Sequence, residues 1–384
     1  MNVIELTKKL IACPSVTPHT AGVFEVIEEF LLPLGFKAMR HTFHEGGTEP
    51  VENLYLRYGT DAPNFCFAGH TDVVPVGDEA AWTTLPFHPE VKGGELIGRG
   101  AEDMKGAIAA FMIAAREFIT SRQSSPVTRH DFNGSISLLI TQDEEGFAIN
   151  GTKKMLEWLK EKGEKLDVCV VGEPTNPEVL GEMVKIGRRG SVSFTLTVRG
   201  KQGHVAYPDR ADNPIPRMLN MLQALENTPL DEGTEYFQPS NLEIVSIDVG
   251  NTVYNVIPAS VSAKFNVRFN DIHTSQSVED WVRKQCMPHG AFEIIKRVTG
   301  EAFHTEHKAL TDVVVAAVKD VTGKTPVLST TGGTSDARFI KDYCPVVEFG
   351  TTGRTAHMVD ERVEIKTLEG LAKVYQRMLE LYFG

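Results

Sequence analysis

The chain has 384 residues, enough for more than one domain, and its 41% hydrophobic and 23% charged residues are those of an ordinary globular protein. A net charge of -12 argues against nonspecific binding to nucleic acid or to an anionic membrane, and no run of apolar residues is long enough to predict a membrane span. The five cysteines (Cys13, Cys66, Cys169, Cys286 and Cys344) are scattered without a Cys-x-x-Cys pair, which fits unpaired thiols in a reducing cytoplasm.

Residues 3–12 read as an amphipathic helix rather than a secretory leader, so a cytoplasmic location is expected. A Pro-containing turn over 13–18 leads to a second helix at 22–32. Residues 36–58 hold short strand-like pieces, split by a polar loop from His44 to Pro50. Phe65–Ala68 reads as a buried strand that runs into Gly69-His70-Thr71-Asp72. Side chains two apart on a strand share a face, so His70 and Asp72 are expected to emerge together. The C-terminal ends of strands are where open α/β sheets usually bind ligands.

A loop from Trp82 to Gly98, with a hairpin signal at 91–96, precedes Gly98-Arg99-Gly100-Ala101-Glu102-Asp103-Met104-Lys105-Gly106 and an apolar helix at 107–119. Residues 121–133 read as a polar loop. A strand at 135–141 runs into Gln142-Asp143-Glu144-Glu145-Gly146, a helix follows at 151–162, and a strand at 167–171 runs into Gly172-Glu173-Pro174-Thr175. Strands alternating with helices predict an α/β fold with a mostly parallel central sheet flanked by helices.

The pattern then changes. Strand 191–198, helix 214–226, strands 242–248 and 260–269 and helix 277–286 suggest a ferredoxin-like α+β unit with an antiparallel sheet. Alternation resumes after about residue 303 with helix 308–322, the turn Gly332-Gly333-Thr334, strand 345–349 and helix 366–382. Residues 1–186 and 303–384 are therefore expected to form one domain, with 187–302 inserted into it.

Five places in the first domain put a metal-capable side chain after a strand or in a loop: His70/Asp72, Asp103, Glu144/Glu145, Glu173 and His357. A single loop carboxylate or histidine is usually just solvated. Three strand ends delivering His-x-Asp, Glu-Glu and Glu to one sheet edge are harder to dismiss. Imidazole and carboxylate without thiolate suit Zn²⁺, Co²⁺ or Mn²⁺ in a catalytic site. The set is too large for one tetrahedral ion and suits two ions sharing a carboxylate, for which Asp103 is the natural bridge. Glu144 and Glu145 leave a strand end toward different sides, so one can ligate while the other serves as general base.

The stretches His70-Thr71-Asp72-Val73-Val74-Pro75-Val76-Gly77-Asp78, Gly98–Gly106, Asp143-Glu144-Glu145-Gly146 and Gly172-Glu173-Pro174-Thr175 resemble, in order, those of the M20 family of dinuclear-zinc amidohydrolases and exopeptidases. Gly187-Arg188-Arg189-Gly190-Ser191, the segment from Gly200 to Pro208, Asn255-Val256-Ile257-Pro258-Ala259 and the segment from Ser329 to Phe339 resemble its desuccinylase branch. The resemblance implies hydrolysis of a small N-succinyl amide by two Zn²⁺, for which Co²⁺ can substitute. It implies that His70, Asp103 and Glu173 hold one ion, and Asp103, Glu145 and His357 the other. Asp72 would orient His70, and Glu144 would take a proton from the attacking water.

By the same resemblance the inserted domain would serve as a lid and pair two copies into a homodimer. His204 and Asn255 would reach across that interface, His204 to help hold the oxyanion. Arg188, Tyr207, Arg268 and the Gly333-Thr334-Ser335 turn would contact the substrate. Another M20 deacylase or dipeptidase, or a non-catalytic metal-binding scaffold, are the competing readings. His41, His44, His130, His273, His289, His304 and His307 read as ordinary surface or loop residues.

Overall fold

The structure, a computed structural model, describes residues 1–124 and 132–384, so His130 and the larger part of the expected 121–133 loop lie outside the described residues. The apolar helix runs further than expected, over Gly106–Ser124. In its last turns Thr120 Oγ1 donates to the Arg116 carbonyl, Ser121 Oγ to the Phe118 carbonyl, and Arg122 stacks on Phe118. Among the described residues, no helix is long and apolar enough to cross a membrane.

Two compact units divide the chain. One comprises Met1–Ile186, Thr305–Ser329 and Ser335–Gly384; the other comprises Gly187–His304 and Thr330–Thr334. The first is built on an eight-stranded sheet among the described residues. Its strands are β1 (Lys37–Phe43), β2 (Val51–Tyr58), β3 (Asn64–His70), β4 (Ser135–Thr141), β5 (Val168–Val171), β6 (Met183–Lys185), β7 (Val327–Ser329) and β8 (Val346–Glu348). They lie in the order β1-β2-β4-β3-β5-β8-β6-β7. The centre, β4-β3-β5-β8, is parallel, and β1, β2 and the β8–β6 step are antiparallel.

β3 is buried along its whole length, as an apolar strand with parallel neighbours on both sides must be. Phe67 stacks on Phe111 of the helix Gly106–Ser124 with centroids 4.4 Å apart, and Tyr375 of the C-terminal helix Ile365–Phe383 meets both rings edge-on. The helix Gly106–Ser124 carries Ala, Ile, Phe and Met on nearly every face, and it is buried nearly all round accordingly. Register brings the strand ends level: His70 lies opposite Thr141, and Ala68 opposite Val171. The residues that follow, Thr71-Asp72, Gln142–Glu145 and Gly172-Glu173, therefore leave the sheet at one edge.

The second unit holds a four-stranded antiparallel sheet in the order Asn241–Asp248, Ser260–Phe269, Gly190–Arg199, Glu293–Gly300. Every second residue of the two central strands (Val192, Phe194, Leu196 and Val198; Val261, Ala263, Phe265 and Val267) is buried in a core with the helices Ile215–Glu226 and Ser275–Cys286. The period of two supplies that one-sided face. Two histidines read as plain surface have local partners: His273 Nε2 lies 3.1 Å from Asp231, and His307 Nδ1 caps the helix Lys308–Thr322 at Leu310 N.

Candidate metal centre

At the sheet edge, His70 is fully enclosed, and its Nδ1 lies 2.9 Å from the backbone carbonyl of Asp72. A carbonyl only accepts, so the proton of the neutral ring sits on Nδ1 and leaves the Nε2 lone pair free. Nε2 faces Asp103 Oδ1 at 3.2 Å and Glu173 Oε1 at 3.7 Å. On the far side of Asp103, His357 Nε2 lies 3.3 Å from Oδ2 and 2.7 Å from Glu145 Oε1. The two oxygens of Asp103 thus face two different histidines.

Asp72 behaves differently from expectation. Its carboxylate stands 3.7 Å from His70, and it is the backbone carbonyl that holds the ring. The carboxylate instead accepts the backbone N–H groups of Glu145 (3.0 Å) and Glu144 (3.4 Å), shaping the turn that carries both glutamates. The reason is geometric: β3 ends at His70, so the alternation that would have aimed both side chains alike stops there.

The cluster is electrostatically crowded. Burial lowers the basicity of His70, but the Asp103 and Glu173 carboxylates outweigh it and hold the ring well above the ordinary histidine range. Hydrogen bonds to Asp103 and Glu145 push His357 up to about 10. Burial works against ionisation of Asp103, yet the two imidazoles hold it below the usual carboxylate range. Glu173 goes the other way, raised by burial and then by Asp103 and Glu144. Glu144 is pushed up to about 8 by burial, against the pull of His70, with Asp336 and Glu145 adding to the rise. Asp72 rises to about 6, chiefly through burial.

These donors fit one or two divalent cations. His70, Asp103 and Glu145 offer ligand atoms within 4.8 Å of one another, and so do His70, Glu144 and Glu173. Two ligands of a tetrahedral ion with bonds of about 2.0–2.2 Å lie about 3.3–3.6 Å apart, close to the His70–Asp103, His70–Glu173 and His357–Asp103 spacings. The His357–Glu145 pair at 2.7 Å is a hydrogen bond that an ion would open slightly. Asp103 Oδ1 is buried with no hydrogen-bond partner among the described residues, which leaves a lone pair for a cation.

The seven side chains just described gather in the first unit. The other expected site residues, apart from Ser335, belong to the second. Arg188 is buried, with Nη1 donating to the carbonyls of Thr331 and Gly333, so it braces the turn that carries Gly333 and Thr334. Burial and then Arg189 hold Arg268 below the ordinary arginine range. His204 pairs with Val256 in a short antiparallel ladder beside Asn255, whose carbonyl accepts Val205 N, and Tyr207 is exposed. Ser335 is buried, and its hydroxyl donates to Glu348 Oε1 at 2.6 Å. Its oxygen also accepts the backbone N–H of Ala337.

Two buried carboxylates that the sequence pattern does not single out, Glu102 and Glu361, flank this cluster in the chain. Glu102 stands next to Asp103 inside the glycine-bounded segment 98–106, and that adjacency is the signal that could have drawn attention to it.

Residues 66–381 match the sequence profile of peptidase family M20/M25/M40. A succinyl-diaminopimelate desuccinylase from Rhodospirillum centenum is 55% identical over 382 residues, covering 99% of this chain and 97% of the relative. Another of that name, from Parvibaculum lavamentivorans, is 52% identical and covers 99% and 95%. Among solved structures, an M20 family metallo-carboxypeptidase from Sulfolobus solfataricus superposes with a TM-score of 0.76 at 16% identity, covering 100% of this chain and 99% of the other. A dinuclear metal-binding M20 peptidase from Bacillus subtilis gives 0.72, also at 16% identity, covering 100% and 98%. At such identities the two structures speak for the fold.

Proposed function

Because the chain belongs to peptidase family M20/M25/M40, we propose that it is a metal-dependent hydrolase that converts N-succinyl-LL-2,6-diaminopimelate and water to succinate and LL-2,6-diaminopimelate. The observation that carries the reaction is Asp103 set between two histidines, with Glu144 beside His70 and Glu173. The substrate rests on the full-length likeness to proteins named for that activity.

In this reading His70, Asp103 and Glu173 hold one ion, and Asp103, Glu145 and His357 hold the other. Zn²⁺ suits these donors, and Co²⁺ can replace it. When bound, such ions lower the pKa of water and polarise the scissile carbonyl. Glu144 takes the proton of the attacking water and returns it to the departing amine. Its place suits it to that task, because its carboxylate stands at the cluster within reach of the His70 and Glu173 ligand atoms. Asp72 keeps Glu144 and Glu145 in place through their backbone N–H groups.

The second unit supplies binding. We assign the substrate's carboxylates to Arg188, Arg268, Tyr207 and the Gly333-Thr334 turn, where guanidinium groups give charge-assisted hydrogen bonds. The protein acts as a homodimer through this unit, with His204 and Asn255 of one copy serving the centre of the other and His204 donating to the oxyanion. The free thiols of a biosynthetic enzyme of this kind fit a reducing cytoplasm.

Assays of N-succinyl-LL-2,6-diaminopimelate, acetylornithine and a dipeptide, side by side with added Zn²⁺ or Co²⁺, test the substrate. The highest kcat/KM is expected on the succinyl compound. Preference for either of the others would move the chain to another branch of the family.

A further inference from the structure

The segments that carry Asp103 and His357 are tied together by two carboxylates in a crossed arrangement. Glu102, the neighbour of Asp103, points away from the cluster into the loop that precedes His357. Its Oε1 accepts Thr352 Oγ1 (2.5 Å) and Arg354 N (3.1 Å), and its Oε2 accepts Thr355 N (2.5 Å) and Thr355 Oγ1 (2.7 Å). Glu361, four residues beyond His357, points back into the segment that carries Asp103. Its Oε1 accepts Glu102 N (2.9 Å) and Asp103 N (3.0 Å), and its Oε2 accepts Gly100 N (2.9 Å) and Arg99 Nη1 (2.8 Å). Both carboxylates are 1% exposed.

Eight hydrogen bonds on four carboxylate oxygens satisfy these buried charges, with one guanidinium among the donors. What they hold in place is a backbone that does not hold itself. His357 has φ +65° and Asp360 φ +56°, left-handed values that residues with a side chain rarely adopt and that persist where the surroundings impose them. The His357 side chain is half exposed, so its own packing does little to fix it.

We infer that Glu102 and Glu361 are a reciprocal pair of positioning residues that set the Asp103–His357 spacing and thereby the second metal position. The inference rests on the two-ion reading above. Neither carboxylate touches the donors' cation-facing atoms. Each acts through the backbone of the opposite ligand segment, as partners outside the ligand set do in metalloenzymes. Glu102 governs the His357 loop alone. Glu361 governs the Asp103 segment, and Asp103 faces both histidines.

The test measures Zn²⁺ affinity at each site by chelator competition, on the parent and on folded Glu102→Gln and Glu361→Gln, with circular dichroism and the Tm of the metal-free proteins alongside. In the parent, two ions are expected. In Glu102→Gln one of them should bind about 10- to 100-fold more weakly and the other as before. In Glu361→Gln both should loosen. Thr355→Val, which removes one hydroxyl donor to Glu102, should weaken the same single site by less, and it stands in if Glu102→Gln does not fold. A change of Tm with both affinities unchanged, or an equal loss at both sites in Glu102→Gln, overturns the inference. A parent that binds fewer than two ions overturns the two-ion reading and this inference with it, a result separable from the first because it appears without any substitution.

Discussion

Glu144 and Glu145 are neighbours in the chain with different surroundings, and the difference assigns their roles. Glu145 is committed to His357 at 2.7 Å, whereas Glu144 sits among carboxylates and His70 with its pKa raised to about 8. Glu144→Ala removes a proton acceptor without removing a ligand of the proposed set. It is expected to keep the parent's metal content, read by elemental analysis, and to lose about 10²- to 10⁴-fold in kcat. Normal turnover would refute the assignment. Proton accounting gives a second expectation. His357 is held protonated up to about 10 and Glu173 is raised as well, so near neutral pH the metal-free centre carries protons that a cation must displace. Raising the pH deprotonates these groups, so metal affinity should increase with pH, about tenfold per unit for each proton released, until His357 itself has titrated. Calorimetry of Zn²⁺ uptake in two buffers of different ionisation enthalpy reads the number released; a heat independent of buffer would contradict it. Residue types and spacing made His70, Asp103 and Glu173 legible in the chain. The carboxylate of Asp72 was legible as a member of the cluster but not in its role, because backbone hydrogen bonds leave no mark in a pattern of side chains. Lys105 shows the same limit. It is fully buried, pushed down to about 8 by that burial, and donates to the Cys13 carbonyl, a contact that nothing local predicts.

Strands end where the site begins, and they end level because register aligns β3, β4 and β5. An apolar strand followed by polar residues is visible in sequence. Close packing between separate strand ends is not, and it is strictest at Gly350. A Cβ there would run into the backbone carbonyls of Gly172 and Glu173, and neither can move aside as a flexible side chain could. Gly350→Ala is therefore expected to cost about 1–3 kcal/mol in urea unfolding by overpacking. It should also weaken metal binding, because the Glu173 segment must shift. Unchanged stability would show that the two segments are looser than described. The extension of the helix to Ser124 is a milder case: polar residues from 121 on read as loop, yet the helix runs on through them, with Arg122 against the Phe118 ring.

The α/β layout and the alternating strands of the second unit follow from hydrophobic period, 3.6 against 2, and were readable along the chain. The grouping of Thr330–Thr334 with Gly187–His304 was not, because it joins segments far apart in sequence. It rests in part on Arg188 donating to the Thr331 and Gly333 carbonyls. For the assembly, the proposed use of His204 in trans makes a sharp prediction. Glu144→Ala and His204→Ala proteins, each poorly active alone, should regain activity when mixed and allowed to exchange subunits, since one centre of the mixed dimer has both groups. No recovery in a mixture shown to contain mixed dimers would place His204 elsewhere. The proposed amide hydrolysis requires metal at two ion positions. The direct measurement is to strip the protein with a chelator, add Zn²⁺ back stepwise and follow succinate release from N-succinyl-LL-2,6-diaminopimelate together with bound metal. Hydrolysis should be absent from the stripped protein, return with Zn²⁺, and end with two ions bound per chain. Succinate release that persists without metal, or none at any metal loading, would contradict the account.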